Sequence, residues 1–177
     1  SGVLVVAKNE ASHAGMAKAM KARTLVKEYL AVVYGRTAVT KGKVELRIQR
    51  DPHDRKRMTT SKTEGRESTT LYERLGESTG GKTGLSLLLC TLVTGRTHQI
   101  RVHLAHLGFP LAGDDKYGDF AWNKVLAKEG LARMFLHAWR LAFRHPTTGA
   151  TVALEAPLPA DLAGYLATLE HGEAVGA

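Results

Sequence analysis

"LSLLLCTLVTGRTHQIRVHLAHLG", residues 85–108, changes character halfway along. Its first nine residues are apolar almost without interruption, too short for a membrane span and of the length of a strand buried on both faces. From Thr94 the pattern changes: within "TGRTHQIRVH" stand two arginines, two histidines, two threonines and a glutamine. Ile100, Leu104 and Leu107 then recur on one helical stripe, with Thr97 in the N-cap position and Gly108 as the stop. The stretch therefore reads as a buried strand that turns a corner into an amphipathic helix, with cations and hydrogen-bond donors concentrated at the turn.

Outward from this corner, the same patterns extend to both ends of the chain. "VLVVA" (3–7) reads as a buried strand. "NEASHAGMAKAMKAR" (9–23) reads as a helix capped by Asn9, with Ala14, Ala17, Lys18, Met20 and Lys21 at helical spacing. "LVKEYLAVVYG" (25–35) and "GKVELRIQ" (42–49) are strands, the second placing Val44, Leu46 and Ile48 inward. Residues 50–66 have no apolar period and carry six Arg or Lys against three acids, an exposed basic loop. "ESTTLYERL" (67–75) pairs with the run at 84–93 through the Gly-rich "GESTGGKTG". "MFLHAWRLAFRH" and "ATVALEA" flank the turn "PTTG", and "ADLAGYLATLE" closes with an amphipathic helix through Leu162, Tyr165, Leu166 and Leu169. Connections this short leave no room for crossover helices, so the expected fold is α+β, a mixed and mostly antiparallel sheet flanked by helices, in one domain over residues 1–177.

The chain's 177 residues carry a formal charge of +8, which favours a polyanionic partner. The single cysteine, Cys90, lies within the apolar run, where it acts as a small hydrophobe; no internal disulfide is possible and a reducing cytoplasm fits. Apolar runs are all shorter than a membrane span, so a soluble protein is expected.

At the corner, Gly95, Arg96, Thr97 and His98 would present backbone N–H groups and cations to an anion such as phosphate. An exposed, well-capped helix with solvated cations accounts for the same residues. Arg101 argues for the first reading. It adjoins buried Ile100 on the same side as His98, so its guanidinium sits at the core's edge, where a carboxylate or phosphate partner is required. A metal site using His98, His103 and His106 fits poorly, because Arg101 stands among them and no carboxylate spacing supports it. A ribonuclease using two histidines and a lysine is a chemically possible alternative for a basic protein.

The segment "GRTHQIRVHLAHLGFPLAGDDKYG" (95–118) resembles the signature of the RluA-type RNA pseudouridine synthases, and more the RluC and RluD branch than the small RluA branch. "SGVLVVAK" (1–8), "VKEYLAVVYG" (26–35) and "RMFLHAWRLAFRHPTTGATVALEAPLP" (133–159) are similar in the same order. The resemblance implies the pseudouridine synthase catalytic fold and isomerisation of uridine to pseudouridine in structured RNA, here ribosomal RNA of the large subunit. Neither metal nor organic cofactor is implied, and a monomer is expected. The family's catalytic aspartate belongs to His-Arg-Leu-Asp-x-x-Thr-Ser-Gly, whose last two residues match Ser1 and Gly2. The aspartate is thus expected four residues before Ser1, with a small RNA-binding domain further upstream; the 177 residues alone are expected to bind RNA weakly and turn over poorly. Tyr29 matches the active-site tyrosine that takes a proton from the substrate, and Arg101 the arginine that pairs with the aspartate. Arg96, Thr97 and His98, together with Arg55, Lys56 and Arg57 of the basic loop, are expected to contact RNA, and Lys8, Lys18, Lys21 and Arg23 to add charge. Asp114 and Asp115 read as turn residues, Asp51 and Asp54 as locally bonded. The alternative is a non-catalytic RNA-binding or ribosome-associated module of the same fold.

Overall fold

A computed structural model describes residues 1–78 and 84–171 of the chain. Its six-stranded sheet has the order β2-β5-β6-β1-β7-β8, formed by β1 (Val26–Tyr34), β2 (Lys41–Glu45), β5 (Thr69–Ser78), β6 (Leu85–Leu92), β7 (Leu136–Arg144) and β8 (Thr151–Glu155). Strands β3 (Arg47–Arg50) and β4 (Met58–Ser61) make a separate hairpin. Among the described residues every strand pair is antiparallel, and the one parallel contact is the isolated bridge between Gly2 and Ala138. The helices are α1 (Glu10–Lys21), α2 (Gln99–His106), α3 (Phe120–Lys128) and α4 (Ala160–His171).

The unbroken apolar runs of β1 and β6 follow from their central position, because helices cover both faces. Ala31, Val33, Leu88 and Cys90 pack with Ile100 and Leu104 of α2 on one face, while Val32, Tyr34 and Leu85 pack with Leu126 of α3 and Leu162 of α4 on the other. Leu88 is wholly buried, and truncating such a leucine to alanine costs about 2–5 kcal/mol, since transfer and cavity terms add.

Away from the corner at 94–98, the structure departs from the sequence reading in five places. "VLVVA" is not a buried strand: past the Gly2 bridge it carries no ladder, and Leu4 and Val6 are 84% and 73% exposed while Val3 and Val5 turn inward. Helix α1 keeps its cap, Asn9 accepting from the Ser12 N–H, but it buries Met16 and leaves Met20 exposed, so its inward stripe runs through Ser12, Gly15, Met16 and Ala19. Residues 42–49 split at Leu46 into β2 and β3, which belong to different sheets although Val44 and Ile48 both face inward. The basic loop contains strand β4, so the loop proper is shorter, about residues 51–57. Helix α3, capped by Asp119, has no counterpart in the sequence reading: the helix is short, and although most of its residues are apolar, Phe120 and Val125 are exposed and only Leu126 is fully buried. The hairpin joining β5 and β6 pairs as expected, and residues 79–83 of its connection lie outside the described residues.

Candidate functional site

Strand β6 ends at Leu92 beside the start of β1, so the corner at 94–98 comes close to Lys27, two residues before Tyr29. Thr97 is not the cap of α2. That position falls to His98, whose φ of 55° puts a non-glycine residue in the left-handed region, and it makes no side-chain cap bond. Gln99 satisfies the corner from inside the helix: its Oε1 accepts from the Arg96 N–H and the Thr94 hydroxyl. Its Nε2 donates to Thr69 O and Thr70 Oγ1. The Thr70 hydroxyl then donates to His103 Nδ1, leaving Nε2–H of that ring for the carbonyl of Leu46. Buried His103 is thus part of a satisfied structural network, and burial holds its pKa below the ordinary histidine value.

Arg101 finds the carboxylate partner that its position at the core's edge requires, and that partner is Asp114. Its Nε donates to Oδ2 at 2.8 Å and its Nη2 to Oδ1 at 2.7 Å, a bidentate pairing between a 13% exposed arginine side chain and a fully buried aspartate. Asp114 Oδ1 also accepts the N–H groups of Lys116 and Tyr117. Burial pushes the Asp114 carboxyl up, but Arg101 and those two N–H groups outweigh it, and the net effect is below the usual aspartate value. Asp114 therefore builds its turn, as expected, and anchors the arginine as well. Among the described residues, Nη1 of Arg101 has no hydrogen-bond partner.

Tyr117 gathers the rest of the corner. The guanidinium carbons of Arg57 and Arg101 lie 5.1 and 5.0 Å from its ring centre. Its hydroxyl accepts from the Met58 N–H and bonds His98 Nδ1 at 2.9 Å. Nothing in the local sequence marks this tyrosine, because its role depends on three segments that meet only in the folded chain. Arg55, Lys56, Arg96 and Thr97 line one groove of about 480 Å³ with Arg50 and Arg66. Asp51 and Asp54 are taken up locally, accepting from the N–H groups of His53, Asp54 and Lys56. Of the more distant cations, Arg23 lines a second groove with Arg47 and Lys62, and Lys8, Lys18 and Lys21 belong to neither groove.

Tyr29 lies on the same face of β1 as Ala31 and Val33 and packs against the cluster that holds Ile100 and Leu104. Its side chain borders a largely apolar cleft of about 330 Å³, walled by Val3, Val5, Met16, Leu25, Lys27 and Arg140. Burial raises the pKa of the phenol. Arg101 does not line this cleft; its guanidinium is turned to Asp114 and Tyr117.

The chain's first residues run along β7, beside the residue that pairs with Tyr29. Ala138, which pairs with Tyr29 across β1 and β7, donates to Ser1 O and accepts from the Val3 N–H. The hydroxyl of Ser1 bonds Nδ1 of buried His137, whose Nε2–H donates to Ala156 O, and lies 3.4 Å from Nη1 of Arg133. Because Gly2 runs parallel to Ala138, the chain traced backward from Ser1 heads toward Arg133 and Met134. The backbone there abuts Gly113, the residue before Asp114, closely enough that a Cβ on Gly113 would collide with the carbonyl of Arg133.

The sequence profile of the RNA pseudouridylate synthase family matches residues 1–106, a span that includes Tyr29 and Arg101. The chain belongs to that family. It is 41% identical over 172 residues to an uncharacterized RNA pseudouridine synthase, YlyB, of Bacillus subtilis, covering 96% of this chain and 52% of the relative. It is 39% identical to the ribosomal large subunit pseudouridine synthase D of Xanthomonas campestris, over 98% of this chain and 53% of that one. To the ribosomal large subunit pseudouridine synthase C of Yersinia pestis it is 36% identical, over 99% and 54%. The chain thus spans about half the length of these relatives. Among solved structures, human RNA Pseudouridylate Synthase Domain Containing 1 superposes with a TM-score of 0.72 at 29% identity, covering 87% of this chain and 63% of that one. The α+β architecture is the family's. No helix among the described residues is long and apolar enough to cross a membrane.

Proposed function

We propose that the protein isomerises uridine to pseudouridine in large-subunit ribosomal RNA, acting in the cytoplasm as a monomer, with Tyr29 and Arg101 in its active site. The observation that carries the reading is the bonding of Arg101. Asp114 holds the Nε and Nη2 edge of the guanidinium and leaves Nη1 for a second carboxylate, and the chain's direction at Ser1 leads toward that neighbourhood. A carboxylate four residues before Ser1, where the family motif has its aspartate, meets a fixed cation that keeps it ionised and oriented.

The target base, flipped out of its stack at a cost of a few kcal/mol, enters the cleft beside Tyr29. The N1–C1′ bond breaks, the base turns, a C5–C1′ bond forms, the proton on carbon 5 leaves and N1 takes up a proton from water, so that substrate and product are isomers. A phenol is protonated at neutral pH and burial raises its pKa further, so Tyr29 works as a relay, passing its own proton to water as it receives the one from carbon 5. The groove of Arg50, Arg55, Lys56, Arg66 and Arg96 holds the RNA backbone by charge and shape.

The test uses protein carrying its upstream segment and ribosomal RNA tritiated at carbon 5 of uracil. Release of label to water is the expected result. RNA that binds without releasing label would instead identify a non-catalytic RNA-binding module, and strand cleavage would point to the histidine ribonuclease.

A further inference from the structure

Lys27 stands two residues before Tyr29 on β1, so both side chains emerge on one face, and both border the same cleft. Its ammonium reaches the corner at the end of β6: Nζ lies 3.4 Å from the position a Cβ on Gly95 would occupy. Among the described residues it makes neither a hydrogen bond nor a salt bridge, although β1 and β8 carry acids nearby. Glu28 points to the opposite face, and Glu155 is engaged by Arg140 and Trp139. The next charge along the corner is another cation, Arg96, whose Nε is satisfied by the carbonyl of Glu67 at 3.3 Å. A half-buried ammonium beside a guanidinium, with no acid between them, is an arrangement that an incoming anion relieves. Burial, and after it Arg96, already hold the lysine's pKa below its ordinary value.

We propose that Lys27 and Arg96 clamp a phosphodiester of the RNA strand, the one flanking the uridine whose base lies against Tyr29. The geometry suits this ligand. The cleft is apolar enough for a base at Tyr29, while Lys27 stands at its rim, where it meets the basic groove through Arg96 and Gly95. The absence of a side chain at Gly95 keeps space open over Nζ, and an ammonium is a compact point charge suited to one phosphate oxygen. The clamp fixes how far the base can travel into the cleft, because base and phosphate are joined through one ribose.

The inference rests on the cleft being the uridine site, and its test is separable from the test of the isomerase. Single-stranded RNAs with one uridine are prepared with a natural linkage, or with a neutral methylphosphonate on the 5′ side or the 3′ side of that uridine. Their affinities are measured for the wild-type chain, Lys27→Gln and Lys27→Arg. Wild type should lose about tenfold on one of the neutral linkages, and Lys27→Gln should lose about tenfold on natural RNA but nothing further on that same linkage. Lys27→Arg should retain most of the natural affinity. A merely structural role would weaken binding of every RNA alike, so losses that multiply overturn the clamp. So does natural binding by Lys27→Gln equal to wild type, or no measurable binding by wild type. Thermal melting of each variant confirms that it is folded. Tritium release with multiplicative losses would sink the clamp alone; coupled losses without tritium release would sink the isomerase alone.

Discussion

Replacing Asp114 with asparagine is the sharpest test of how the corner is held. The native carboxylate is fully buried and accepts four hydrogen bonds, two from Arg101 and one each from the N–H groups of Lys116 and Tyr117. Asparagine keeps one acceptor oxygen, which can still serve the two N–H groups of the turn, but its NH2 then faces the Nε–H of Arg101, donor against donor. The guanidinium is left at the core's edge with only the solvent-exposed carboxylate of Asp115, 3.6 Å from Nη2, as a counter-charge. Breaking a pair of this kind costs about 3–5 kcal/mol, and for a domain of this size each kcal/mol moves Tm by about 2–4 °C, so a fall of roughly 6–20 °C is expected at pH 7. The folded pKa of Asp114 lies below its unfolded value, so its contribution is fully present above the unfolded value of about 3.9 and is lost as pH falls through the folded one. The gap between wild type and Asp114→Asn should therefore be widest at neutral pH and close below about pH 4. Thermal unfolding followed by circular dichroism from pH 7 down to pH 3 measures it. A Tm within about 2 °C of wild type at pH 7, or a gap that persists undiminished in acid, would refute the reasoning.

Tyr29→Phe should abolish tritium release from ribosomal RNA while leaving RNA affinity within about twofold, because the ring and its packing remain and only the hydroxyl is removed; retained turnover would remove the proposed relay. Neutralising Arg55 and Lys56 together should weaken RNA binding and lower the slope of log affinity against log salt by about one for each phosphate they neutralise, so an unchanged slope would take them out of the interface. His103 is buried with its folded pKa held below the unfolded value of about 6.5. Wild type should lose stability as pH falls from about 6.5 toward that lowered value, and His103→Gln should show a flatter dependence in urea titrations over the same range. Burial pushes the Cys90 thiol up to about 12, so a thiol reagent at pH 8 should react only at the rate of unfolding, and prompt labelling of folded protein would contradict the packing.

Much of this architecture is legible along the chain because it rests on local periodicity. The apolar run at 85–93, the alternation at 151–155 and the helical stripe of Leu162, Tyr165, Leu166 and Leu169 each declare their element through spacing alone. Where spacing misleads, the cause is that burial is not a local property. "VLVVA" has the composition of a buried strand, yet only Gly2 is bridged to β7 and Leu4 and Val6 face outward, since burial depends on what the rest of the fold brings alongside. The run at 42–49 alternates as one strand, but the chain turns at Leu46 and shares itself between two sheets, which inward spacing cannot reveal.

The site divides along the same line. Residue order alone establishes that a strand-to-helix corner carries Arg96, His98 and Arg101, that Arg101 needs an anionic partner, and that Tyr29 lies in a strand. Those are consequences of residue type and spacing over a few turns of chain. The folded chain adds that the partner is Asp114, that Tyr117 collects Arg57, His98 and Arg101, and that the ammonium of Lys27 comes beneath Gly95. Each of these depends on residues far apart in the chain, brought within a few ångströms by the antiparallel register of β1 and β6 and by the turn after α2. Electrostatic and hydrogen-bond energies depend on that separation in space, and sequence distance does not report it.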